Sequence, residues 1–90
     1  MNSQNTNKFE NLLKENMTFP TVYLYKFIVL ENSEAKEKLL QLFNSDAEIS
    51  TNLSSAGKYV SISIKQKVEN AEQILEKYKA VSEIQGVTSL

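Results

Sequence analysis

A lysine that has lost its hydration can take the proton of a serine hydroxyl and turn the serine into a nucleophile, and Ser55 and Lys58 stand three residues apart beside Gly57. The stretch Ser54-Ser55-Ala56-Gly57-Lys58 reads as a hairpin turn. A lysine at such a tip keeps its water, and no nearby residue offers an oxyanion hole or an enclosing pocket, so this pair is not assigned as catalytic. The same residues fit a milder chemistry: turn N–H groups, serine hydroxyls and the Lys58 ammonium can form a small nest for a carboxylate or phosphate. The carboxylates suggest less. Glu31 with Glu34, Glu69 with Glu72 and Glu76, and Asp46 with Glu48 read as helix-start and surface charges. None has the spacing of an EF-hand or of an octahedral cation site.

Absences narrow the chemistry further. The chain has no Cys, no His and no Trp, and all ten of its basic residues are Lys. Thiolate nucleophiles, imidazole acid–base pairs, Ser-His-Asp triads and the usual zinc, haem and iron–sulfur ligand sets are therefore excluded, and neither a metal nor a cofactor is expected. No disulfide can form within the chain. Without Arg there is no bidentate clamp for phosphate or carboxylate. A formal net charge of −1 gives no general attraction to nucleic acid or to an anionic membrane. With 41% hydrophobic and 23% charged residues, two Gly and one Pro, the composition is that of an ordinary globular domain, and ninety residues suffice for one thin core. The apolar run Phe27 to Leu30 is too short to cross a bilayer, and the polar start Met1-Asn2-Ser3-Gln4-Asn5 lacks the parts of a signal peptide. The expected location is the cytoplasm.

Several elements must position these residues. After a polar tail of five residues, Asn7 and Glu10 have capping-box spacing and open a short helix with an apolar stripe of Phe9, Leu12 and Leu13. Pro20 marks the entrance to a strand from Thr21 to Leu30, with Tyr23, Tyr25, Phe27 and Val29 on one face and Val22, Leu24, Lys26 and Ile28 on the other. Both faces are mostly apolar, which predicts a central strand buried on both sides. Glu31-Asn32-Ser33 supplies a cap for a three-turn helix carrying Ala35, Leu39, Leu42 and Phe43, which Asn44-Ser45-Asp46 ends. A polar edge strand follows over 47–53. The hairpin, with Gly57 at positive φ, leads into a third strand from Tyr59 to Val68, where Val60, Ile62 and Ile64 alternate with Tyr59, Ser61, Ser63 and Lys65. Asn70 and Gln73 cap a helix with Ala71, Ile74, Leu75, Tyr78 and Val81 inward, and Gly86 precedes a last strand over 87–90.

This order, β-α-β-β-α-β after an N-terminal helix, predicts an α+β ferredoxin-like sandwich. Its four-stranded antiparallel sheet should run 4-1-3-2 with both main helices on one face. Residues 1–18 form the tail and short helix, and residues 19–90 form the domain.

Two blocks, Phe19-Pro20-Thr21-Val22-Tyr23-Leu24-Tyr25-Lys26 and Ser54-Ser55-Ala56-Gly57-Lys58-Tyr59-Val60-Ser61-Ile62-Ser63-Ile64, resemble the YbeD-like family of small uncharacterised bacterial proteins. The likeness extends from about Phe19 to Leu90. It implies a ferredoxin-like domain similar to ACT regulatory domains, which pair side by side in larger enzymes and bind amino acids or related effectors. It carries over no enzymatic activity and no ligand. ACT-type effector sites favour a glycine where the first strand leaves for its helix, and this chain has Val29 there, which argues against an amino-acid effector at that point.

Topology brings the exit of strand one, the hairpin and the entry to strand four to the same rim. Asn32, Ser54, Ser55, Gly57 and Lys58 are the candidate contacts for a small anionic ligand, with Ser33, Gln85 and Gly86 nearby; turn and cap chemistry explains the same residues without a ligand. A second candidate is the sheet face away from the helices, where Leu24, Ile28 and Tyr59 form a candidate interface among Lys26, Ser61, Ser63 and Lys65. Either the N-terminal stripe of Phe9, Leu12, Leu13 and Met17 folds across it, or a second copy or another protein covers it. RNA is not expected there, because the aromatic signature of RNA-binding modules of this fold is missing. The leading expectation is a non-enzymatic interaction or regulatory domain acting through self-association or a protein partner. An ACT-type sensor of an amino acid or related anion is the alternative, and an enzyme whose site forms only between subunits is a third.

Overall fold

A computed structural model describes residues 3–43 and 45–90. Its elements are α1 (Ser3–Asn16), β1 (Thr21–Leu30), α2 (Glu34–Gln41), β2 (Glu48–Leu53), β3 (Tyr59–Val68), α3 (Ala71–Ser82) and β4 (Thr88–Ser89). The sheet order is β2-β3-β1-β4, which is the expected 4-1-3-2 read from the other edge, and every pairing is antiparallel. The fold is therefore the predicted α+β ferredoxin-like sandwich with one additional helix.

β1 and β3 pair over ten residues, from Thr21 opposite Val68 to Leu30 opposite Tyr59. Alternation then sends Tyr25, Phe27 and Val29 of β1 and Val60, Ile62 and Ile64 of β3 to one face. α2 and α3 cover that face with Leu39, Ala71, Ile74 and Val81, each almost wholly buried. Both helices start on the expected caps. The Ser33 hydroxyl accepts from the Lys36 N–H at 3.2 Å and donates to the Leu30 carbonyl at 2.7 Å. Asn70 Oδ1 accepts from the Gln73 N–H at 3.0 Å, and Gln73 Oε1 accepts in return from the Glu69 N–H at 2.8 Å. The Lys36 and Gln73 N–H groups are first-turn donors that the helix itself leaves unpaired.

The structure departs from the sequence reading in four places. β1 is central in the sheet but buried on one side only: Val22, Leu24 and Leu30 are 60%, 46% and 43% exposed. α1 begins at Ser3 rather than at Asn7, so Asn7 lies inside the helix and Ser3 to Asn5 are not a tail; Met1 and Asn2 lie outside the described residues. α2 has eight residues, about two turns rather than three, and its expected stop falls partly on Asn44, outside the described residues. The edge strands are shorter than expected, with β2 starting at Glu48 and β4 reduced to Thr88–Ser89, although the Leu90 N–H still donates to the Lys26 carbonyl at 2.9 Å. Among the described residues no helix is long and apolar enough to cross a membrane.

α1 packs on α3 on the helix side of the sheet. Leu13 joins the main core, Phe9 meets the Tyr78 ring edge-on at 6.0 Å, and Lys14 bridges Glu10 and Glu72 at 3.0 and 3.2 Å. Tyr78 in turn contacts Tyr25 at 5.5 Å and donates to or accepts from the Tyr23 hydroxyl at 3.0 Å. Burial pushes the Tyr25 phenol up to about 12, and burial followed by the Tyr23 hydrogen bond raises Tyr78 as well.

Two outcomes follow from this core. Phe27→Ala, at a site with no exposure, should lower the unfolding free energy by about 3–5 kcal/mol in urea titrations. Because the folded Tyr25 holds its proton above its unfolded value, the stability it contributes is complete below about pH 10. It is lost as pH rises through about 12. Tyr25→Phe should flatten that alkaline decline, and a decline of unchanged depth would assign it to other groups.

Candidate functional site

The rim expected from topology is assembled. The Glu31 N–H donates to the Lys58 carbonyl at 2.9 Å, tying the exit of β1 to the hairpin. A Cβ placed on Gly86 would lie 3.5 Å from the Ala35 Cβ, so the approach to β4 runs beside the start of α2. Asn32 adopts φ 58° and Gly57 φ 74°. Within the hairpin, Gly57 N–H donates to the Ser54 carbonyl at 2.8 Å, Ser54 N–H to the Tyr59 carbonyl at 2.8 Å, and Tyr59 N–H to Ser54 Oγ at 3.1 Å. Ser54 thus spends its hydroxyl on the turn. The Lys58 ammonium lies 5.6 Å from the centre of its own Tyr59 ring. Glu31 is held below the usual carboxylate range by the Lys36 ammonium at 2.5 Å and also accepts from the Asn32 N–H at 3.3 Å. Asn32, Ser54, Ser55, Gly57 and Lys58 are all exposed. Val29 is 1% exposed and part of the core.

The open sheet face is the second site. With α1 docked on α3, no described element lies across it, and the stripe of Phe9, Leu12, Leu13 and Met17 does not serve as its cover. Register places Leu24 beside Lys65, Lys26 beside Ser63, Ile28 beside Ser61 and Leu30 beside Tyr59. Glu48, Ser50 and Asn52 of β2 continue the same face. The outcome is an apolar ridge along β1, interrupted by Lys26, with lysines gathered towards its Val22 end and Tyr59, 46% exposed, at the other. Leu24, Ile28 and Tyr59 therefore share one surface.

A third feature lies at the opposite end of the sheet from the rim. A cavity of about 380 Å³ opens between β3 and α3, lined by Tyr25, Gln66, Asp46, Gln73, Glu76 and Lys77 among others. The Lys77 ammonium donates to the Leu42 carbonyl and lies 4.7 Å from the Phe43 ring centre, so its charge is engaged within the fold. Among the described residues Gln66 Oε1 is buried and meets no hydrogen-bond donor; an acceptor left so costs about 1–3 kcal/mol. Sequence reasoning missed this residue although the signal was present. The inward series Val60, Ile62, Ile64 continues by two to Gln66 before Val68 restores an apolar side chain, so the amide interrupts the covered face of β3.

The architecture defines the class of protein, a small α+β domain of ferredoxin-like type. Residues 14–90 match the family described as a protein of unknown function (DUF493), and the chain belongs to that family; this is the YbeD-like family to which the two sequence blocks point. No curated protein matches the chain. Among solved structures it is similar to protein HP0495 from H. pylori, known from a solution structure, at 19% identity and a TM-score of 0.66, covering 83% of this chain and 86% of that one. It is also similar to the ACT domain from the GTP pyrophosphokinase of Chlorobium tepidum, at 14% identity and a TM-score of 0.52, covering 78% and 100%. At these identities the likeness is one of fold.

Gln66→Met keeps the length of the side chain and removes the unpaired acceptor. It should raise the unfolding free energy by about 1 kcal/mol in urea titrations, and a loss of stability would mean that Oε1 has a donor, such as an ordered water.

Proposed function

We propose that this domain is a non-enzymatic interaction module that docks a protein partner on its open sheet face. The observation that carries the proposal is that α1 packs on α3 and leaves Val22, Leu24, Leu30 and Tyr59 between 43% and 60% exposed on one continuous surface. Scattered apolar side chains are ordinary on a protein surface, whereas a row of them along a central strand is a feature of interaction sites. The sequence contributes the negative half of the argument, since without His, Cys or Arg the chain offers little to catalysis or to phosphate recognition. The fold shared with an ACT domain and the cavity beside Gln66 favour a second reading, a sensor of a small polar molecule. The buried Val29 weighs against the ACT-type position for it.

A photo-reactive benzoylphenylalanine in place of Ser61, on the open face, should give a discrete adduct in the native cell, while the same group in place of Glu37 on α2 should not. Leu24→Lys should abolish the adduct without shifting the melting temperature of the isolated chain. Adducts at Glu37 alone would transfer the interaction to the helices and sink the proposal. A melting temperature raised by one amino acid out of a panel would favour the sensor, because a ligand bound to the native state stabilises it by mass action.

A further inference from the structure

Resting on the open-face reading above, we infer that the partner presents an apolar strip flanked by carboxylates, and that it is neither a second copy of this chain nor a nucleic acid. The open face carries Lys26, Lys65 and Lys67 against the single acid Glu48, while the chain as a whole is acidic. The other acidic residues lie on the helices and the connecting loops. The three helices balance six lysines against six glutamates, so the open face is set apart by a net positive charge, which attracts an acidic surface. Among the described residues, Lys26 and Lys65 make no ion pair, and Lys67 reaches only Glu69, at 3.8 Å.

Geometry sharpens the complement. Lys65 stands opposite Leu24 and Lys67 opposite Val22 across the β1–β3 pair, with Lys26 next along β1. Three lysines therefore flank the Val22–Leu24 end of the ridge, whereas at the Leu30–Tyr59 end the nearest ammonium is that of Lys58, 5.6 Å from the Tyr59 ring centre. A partner seated there needs apolar side chains over Leu24 and Ile28, and carboxylates on one side of that strip to meet the ammonium groups.

Two alternatives fit less well. Stacking this face on its own copy brings three lysines of each copy to a surface whose one acidic side chain is Glu48. For single-stranded nucleic acid, the face lacks Arg and offers Tyr59 as its aromatic platform, where such sites stack successive bases on several rings.

The test uses the Ser61 photo-crosslinker in the full chain. Lys26→Glu combined with Lys65→Glu should cut the adduct on the order of tenfold, the loss expected when charge pairing at an interface is reversed, and Lys26→Arg with Lys65→Arg should retain it. Both pairs change exposed side chains, and melting temperatures equal to that of the parent chain certify that each is folded. The adduct should consist of this chain and a different protein. If Leu24→Lys removes the adduct and the glutamate pair leaves it intact, the docking face stands and the acidic partner is refuted. An adduct of twice the chain's own mass assigns the face to a second copy, and one lost on nuclease treatment assigns it to nucleic acid; either overturns the inference. No adduct at Ser61 in any background refutes the docking face itself.

Discussion

The ten-residue antiparallel register between β1 and β3 is the constraint on which the rest of this structure depends. Side chains alternate along a strand, so the register decides which set is inside. As paired, Tyr25, Phe27, Val29, Val60, Ile62 and Ile64 lie together under the helices. A slip of one residue in either strand would bring a lysine or serine of the open set into that core, at the cost of an unpaired buried polar group. Both edge strands depend on the same pair, since β2 hangs on β3 and β4 on β1. The rim and the open face are likewise consequences of this register.

Tyr78 then decides what becomes of the uncovered side. Its ring lies against Tyr25, Phe27 and Phe9, and its hydroxyl meets that of Tyr23. Edge-on aromatic contacts each add about 0.5–1.5 kcal/mol beyond the area they bury. α1 finds in Tyr78 an apolar seat and in Glu72 a charge for Lys14. The open sheet, with Lys26, Lys65 and Lys67, would give that helix no acidic partner for Lys14 apart from Glu48. Docking on α3 is the better burial for Phe9 and Leu13, and the ridge on β1 stays in water as a result.

The sequence was legible where local chemistry and tertiary demand agree. β1 and β3 end where their alternation ends, Gly57 sits at positive φ in the turn that needs it, and Ser33 and Asn70 cap the helices they precede. The start of α1 was not legible, because Asn7 and Glu10 have capping-box spacing yet lie within a helix that begins at Ser3; spacing alone does not say which cap is used. Nor was the direction in which α1 docks. An apolar stripe at Phe9, Leu12 and Leu13 states that a helix seeks cover, not which of two surfaces will provide it. For the candidate contacts, topology foretold that the exit of β1 would meet the hairpin, as the Glu31 N–H does at the Lys58 carbonyl. How Ser54 divides its hydrogen bonds within the turn depends on atomic geometry that composition does not encode.

An apolar ridge left in water is a liability for a free domain, and the residues around it show how that liability is limited. Each exposed apolar side chain forgoes about 25 cal/mol per Å² of burial, and the same surface on neighbouring molecules invites aggregation. Lys26 in the middle of the ridge and Lys65 beside Leu24 oppose that association, in the way charges protect exposed strands generally. The protection is conditional. It acts against copies of the same face and against basic surfaces, and it turns into attraction when the approaching surface is acidic. The lysines thus set beside the exposed Val22 and Leu24 a charge that opposes basic surfaces and favours acidic ones.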